Sequence, residues 1–216
     1  MKSEWRFTIV QVLKDDIRRA IVRTAQAVFL ERGFEESSMK EIASRAGVSV
    51  GNLYRYYPQK EALFEAVTLP AYAMLSALIG EHGAADAQLA GLREPGAMLE
   101  QLGTLLGGVL EQCREPLLIL LYGSRGTKQE GVKEQLFEQL AAHVLEHMKS
   151  ARHMTENGKD AAQPAVQFDA GAARPVAVAF LEGYLEIIRL HADPQRIQSL
   201  TRQYISLWFM GLRQLL

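Results

Sequence analysis

Gly47 separates two short amphipathic stretches, "SSMKEIASRAG" and "SVGNLYRYY", between Ser37 and Pro58. No other feature limits the possible fold as strongly. Ser38 followed by Glu41 is a capping-box pattern, and Met39, Ile42, Ala43 and Ala46 form one inward face. Gly47 ends that helix. Ser49 can cap the next, which stops before Pro58 because the residue ahead of a proline disfavours helical geometry. Upstream, Ile17, Ile21, Ala25, Val28 and Phe29 recur at spacings of three and four, and Gly33 follows as a C-terminal cap. Three short helices within residues 15–57, with a tight Gly47-Val48-Ser49 turn before the last, form a helix-turn-helix pattern.

The last of these helices has two different sides. At about 100° per residue, Leu53 and Tyr57 lie within about 40° of each other and face inward. Gly51, Asn52 and Arg55 fall together on the opposite side, with Tyr54 and Tyr56 flanking them and Val50 nearer the inner face. A DNA major groove admits a helix, where Arg pairs with guanine and Asn with adenine. Flanking tyrosine hydroxyls donate to phosphates on the groove walls. Ser38, Ser49 and the helix N-terminal amides are further phosphate donors. Gly51 lets the backbone approach closely, and Lys60 adds a cation. The candidate DNA-binding set is therefore Ser38, Ser49, Val50, Gly51, Asn52, Tyr54, Arg55, Tyr56 and Lys60.

Charge agrees with this placement. The 216 residues carry a net charge of −1, which excludes a chain that coats nucleic acid through bulk basicity. Residues 37–60, however, hold Lys40, Arg45, Arg55 and Lys60 against Glu41 alone. One cysteine, Cys113, excludes an internal disulfide. No apolar run approaches a membrane span, and the N-terminus lacks signal-peptide organisation, so a cytoplasmic location and no membrane partner are expected.

Helical periodicity dominates the remainder, and no strand is assigned. A helix is expected from Lys60 to Gly80, with a bend at Pro70. Pro95 and Pro116 each read as opening a helix, the second being the very apolar "PLLILLY". Residues 131–154 form an amphipathic helix. "TENGKDAAQPAVQFDAG" reads as a loop, then come a helix from Ala172 to Leu190 and one with Asp193 as N-cap and Pro194 at its first position. "EWRFTIVQV" reads either as an extended arm or as the start of the first helix. The fold class is all-α, with about nine helices. Residues 1–60 form the N-terminal arm and helix-turn-helix domain, and residues 61–216 a larger helical bundle.

"SSMKEIASRAGVSVGNLYRYYPQKEALF", preceded by "TAQAVFLERGF", resembles the DNA-binding signature of TetR-family transcriptional regulators over residues 15–67. "YISLWFMGL" resembles the family's last helix more loosely. Gln59 departs from the family's usual capping residue, and the N-terminal arm is less basic than in many members.

The resemblance implies a homodimer bound to a near-palindromic double-stranded operator, with a small-molecule effector in the C-terminal domain. Half-sites one turn apart require recognition helices roughly 34–36 Å apart. It implies no enzymatic activity, cofactor or metal. It also implies that the last two helices pair with a second copy. Val178, Leu181, Leu185 and Ile188 form one stripe for that contact, and Ile205, Trp208, Phe209 and Leu212 another. The candidate effector pocket is lined by Tyr72, Met74, Leu102, Leu106, Cys113, Leu117, Leu121, Tyr122, Phe137 and Tyr184, a mixture that favours an apolar ligand. The expected function is a repressor released from its operator by such a ligand. The alternative is a DNA-bound scaffold that recruits a protein and senses no small molecule.

Other signals are weaker. "HVLEH" places His143 and His147 at i, i+4, a workable metal spacing, but no third ligand is evident. "GSRGTK" lacks P-loop spacing. Cys113 among leucines reads as an inert buried thiol.

Overall fold

A computed structural model describes residues 2–80, 113–157 and 169–215, and every described element is helical. The order is α1 (Lys2–Arg32), α2 (Met39–Arg45), α3 (Val50–Tyr56), α4 (Lys60–Gly80), α5 (residues 113–122), α6 (Val132–Asn157), α7 (Ala173–Leu190) and α8 (Pro194–Leu215), with a 3-10 turn at Ala170–Ala172 ahead of α7. The backbone of "EWRFTIVQV" is part of α1, so the extended-arm alternative does not form. Pro70 lies within α4. Pro116 does not open a helix, because α5 is already helical at Cys113. The gain that offsets Pro116's missing N–H is burial on every side: Leu117, Leu118, Ile119, Leu120 and Leu121 are all buried.

The chain divides into two compact units, the first taking in Met1–Leu75 and Glu115–Glu130. Its core joins Ile21, Ala25, Val28 and Phe29 of α1, Met39, Ile42 and Ala43 of α2, Leu53 of α3, Leu63, Phe64 and Val67 of α4, and Ile119 of α5. Phe29, Phe34 and Phe64 meet at its centre. The Phe64 ring stands edge-on to Phe29 at 5.2 Å and to Phe34 at 5.3 Å. That arrangement sets positive ring edges against negative ring faces.

In the second unit α6 and α8 pack on α7. Asp193 caps α8 as its sequence indicates, accepting from the Arg196 amide at 2.8 Å. Arg114 caps the C-terminal end of α7, its Nε donating to the Ile188 carbonyl at 2.7 Å. Tyr204 of α8 lies directly over Gly183 of α7, where any side chain would collide with its ring and hydroxyl. That hydroxyl reaches the carbonyls of Ala179 and Phe180, and its ring stacks on Phe180 beside Trp208.

Leu185, Ile188 and Ile205 are buried inside this chain, which removes them from the surface expected to meet a second copy. The stripe pattern cannot distinguish an intrachain from an interchain partner, and packing with α6 and α8 uses much of it. Val178, Leu181 and Trp208 are half-buried. The side chains of Phe209 and Leu212 lie outside the described residues. Leu190, Leu207 and Met210 are the exposed large apolar side chains of α7 and α8 among the described residues.

Candidate nucleic-acid interface

The helix-turn-helix is built by local rules that can be checked one at a time. Ser38 caps α2 in extended backbone geometry, its hydroxyl accepting from the Glu41 amide at 3.2 Å. Glu41 does not complete the reciprocal bond its spacing suggests. Its carboxylate pairs with Arg45 at 2.9 Å and Arg32 at 3.4 Å, while Arg45 also reaches Glu31 at 2.8 Å. The Arg32–Glu41 and Arg45–Glu31 pairs tie α1 to α2 across a solvated face, where water screens them and such contacts add little. Gly47 makes the turn with φ of +69°, a conformation that strains any residue with a Cβ.

Ser49 caps α3, accepting from the Asn52 amide at 3.1 Å. Replacing Ser49 with Ala should cost about 1 kcal/mol, because a seven-residue helix would lose a bonded first-turn amide. Urea unfolding checks this figure, and Ser49→Thr should recover most of it.

The α3 surface divides as its angular projection indicates at Leu53, Tyr57, Gly51 and Arg55, but Val50, projected nearer the inner face, is exposed and Asn52, projected outward, is half-buried. Leu53 is fully buried and Tyr57 nearly so, while Val50, Gly51, Tyr54 and Arg55 are exposed. Asn52 and Tyr56 are half-buried, and Tyr56 packs against the core margin. The outer face thus presents a guanidinium, a phenol and a side-chain-free glycine next to one another. Ser38 and Ser49 are also exposed at the N-termini of the two helices.

The cation pattern differs from the expectation. Arg45 is engaged by Glu31 and Glu41. Lys60, read from sequence as a cation on one groove wall, turns its ammonium inward onto backbone carbonyls. Lys40 and Arg55 remain exposed. Sequence reasoning did not select Arg18, an exposed α1 residue whose Nε donates to the Tyr57 hydroxyl at 3.4 Å. That bond, first among its causes, holds the guanidinium even more firmly protonated than usual. The two residues are 39 positions apart, so no local pattern could have paired them.

The residues expected from sequence to line an effector pocket are spread over both units. In the first, Leu117 and Leu121 are buried, Met74 is half-buried, and Tyr72 and Tyr122 are exposed. In the second, Cys113, Phe137 and Tyr184 are buried. Burial pushes the Tyr184 phenol and the Cys113 thiol upward, so both stay protonated at neutral pH. Leu102 and Leu106 lie outside the described residues. No group of three or more His, Cys, Asp or Glu side chains that could hold a metal occurs among the described residues, and the side chain of His147 is not among them. No described helix is long and apolar enough to cross a membrane.

Comparison with known proteins gives the same emphasis on the first unit. A family profile described as "Bacterial regulatory proteins, tetR family" matches residues 21–67. The HTH-type transcriptional regulator UidR of Escherichia coli K12 is 25% identical over 143 residues, covering 66% of this chain and 70% of its own. The HTH-type transcriptional repressor BepR of Brucella suis is 40% identical over 52 residues, 24% of this chain and 25% of its own. A TetR-family regulator from Bordetella parapertussis shares the fold, with a TM-score of 0.54 and 19% identity over 87% of this chain and 92% of that one.

Proposed function

We propose that the chain is a DNA-binding transcriptional regulator of the TetR type, a homodimeric repressor released from its operator by a small apolar ligand, the family profile over residues 21–67 supporting the DNA-binding part. The family and its relatives are regulators of transcription, not enzymes. One observation carries the DNA-binding part of the reading. A seven-residue helix buries Leu53 and turns Tyr54, Arg55 and Gly51 to solvent, between two serine-capped N-termini.

In this reading Arg55 and Asn52 address base edges. Tyr54, Tyr56, Ser38 and Ser49 address phosphates, with Gly51 and Val50 closest to the groove floor. Arg18 supplies a cation beside the C-terminal end of α3. The repressor assignment draws on the repressor BepR, which matches only the DNA-binding region. The dimer draws on the exposed Leu190, Leu207 and Met210 of α7 and α8.

Arg55→Ala should weaken specific duplex binding by about 1–3 kcal/mol and relax preference at one base position. Anisotropy titrations against a selected operator and its single-base variants measure both. A wild-type protein that prefers no sequence over random duplex at moderate salt would sink the reading. Light scattering tests the dimer, and native mass spectrometry of the purified protein tests for a carried ligand. Capture of a protein partner without any small molecule would favour the scaffold alternative.

A further inference from the structure

The ammonium of the half-buried Lys60 is seated on backbone carbonyls. It donates to the carbonyls of Phe34 at 2.6 Å and Ser37 at 2.9 Å, with a longer contact to Glu35 at 3.4 Å. It also sits 4.2 Å from the centroid of the Phe34 ring, on a face that attracts cations. An ammonium has three donors, and here all three are directed at residues 34–37. Burial depresses the lysine pKa more than the nearby carboxylates of Glu61 and Glu35 raise it.

Phe34 is held through its other backbone group as well. Its N–H donates to the Gly123 carbonyl at 2.8 Å, just past α5. The approach there is as close as glycine allows: a Cβ on Gly123 would lie 3.0 Å from the Ile119 carbonyl oxygen and 3.3 Å from Gly33 Cα. Gly33 itself turns the chain with φ of +71°. One residue, through its N–H and its C=O, thus joins the end of α1, the start of α4 and the end of α5.

The position of these bonds along the chain gives them a consequence. Residues 34–37 are the entry to α2, and Lys60 is the exit from α3. The bond from Lys60 to Ser37 spans 23 positions and closes the helix-turn-helix into a ring. Backbone carbonyl oxygens carry partial negative charge, and three of them converging make this a favourable seat for a cation.

We propose that Lys60 is a positioning residue for DNA binding: a tethered cation that clasps the two ends of the helix-turn-helix and fixes the presentation of α3, with no phosphate contact of its own. This rests on the DNA-binding reading above. The test uses the full chain, Lys60→Met and Lys60→Arg, and a mixed-sequence duplex of about 40 bp. Binding is titrated by anisotropy from about 50 to about 200 mM salt.

Lys60→Met should lower Tm by about 5 °C or more and speed exchange of the Phe34 amide at least about tenfold. Affinity should fall about tenfold at every salt concentration, with the log–log salt slope unchanged. A slope reduced by about 1 with Tm intact would identify a phosphate contact and overturn the proposal. So would a Lys60→Met protein unchanged in every readout.

Lys60→Arg keeps the charge, but its wide planar head suits this carbonyl seat poorly. It should also lose Tm and affinity at constant slope, and it keeps the test decisive should Lys60→Met fail to fold. Full affinity in Lys60→Arg would show that charge alone suffices and would overturn the clasp. Failure of the wild-type protein to bind duplex even at low salt would instead remove the DNA-binding reading, and the positioning role with it.

Discussion

Phe64→Ala should cost about 3–5 kcal/mol of stability, the range for truncating a fully buried aromatic side chain. Phe64 is wholly inaccessible and stands edge-on to both Phe29 and Phe34. Its removal leaves a cavity among α1, α4 and the α1–α2 turn, and it deletes two aromatic contacts each contributing about 0.5–1.5 kcal/mol beyond area burial. A domain of this size has a total stability of about 5–15 kcal/mol. The substitution therefore removes a large share of it, and Tm should fall by more than about 10 °C.

The Phe34 ring makes the effect wider than one cavity. It accepts the Lys60 ammonium on its face while the Phe64 edge approaches it. With Phe64 gone, Phe34 can collapse toward the void and draw the 34–37 carbonyls away from Lys60. Urea unfolding followed by circular dichroism measures the loss, and Phe64→Leu should recover much of it because the space stays filled with apolar atoms. A loss below about 1 kcal/mol would show that the aromatic trio is not the centre of this core.

Much of the first unit was legible because its signals are local. Gly47 had to adopt a positive φ for so tight a turn, and it does. Ser38, Ser49 and Asp193 cap the helices that follow them. The inward pairing of Leu53 with Tyr57 needed only the helical angle.

What was illegible depends on partners distant in sequence. Glu41 has the capping-box spacing, but Arg32 and Arg45 take its carboxylate, and one of those comes from α1. Lys60 looked like a free cation beside the recognition helix, yet carbonyls 23 to 26 positions away take it. Arg18 gave no sign of approaching Tyr57. In the second unit an apolar stripe announces burial without naming the partner. The pattern alone therefore turns Leu185, Ile188 and Ile205 outward, although their own chain covers them.

Leu53→Ala should produce the second large effect, about 2–5 kcal/mol, and it separates folding from recognition at α3. Leu53 is the buried residue of that helix and is fully inaccessible, with Tyr57 packed one turn later at its C-cap. A seven-residue helix has almost no stability of its own, since nucleation costs more than so few hydrogen bonds return. Docking through Leu53 is therefore what keeps α3 helical and holds Arg55 on the opposite side. The substitution leaves every proposed DNA-contacting side chain intact. Duplex affinity should nevertheless fall, in proportion to the fraction of molecules with α3 undocked. A stabilising osmolyte, which repopulates the docked state, should restore much of the Leu53→Ala affinity. The same treatment should restore none of the loss in Arg55→Ala, whose defect lies in the contact itself. Leu53→Met, close in volume, should bind within a few-fold of wild type. If Leu53→Ala instead binds duplex as tightly as wild type, α3 does not depend on its buried face for presentation.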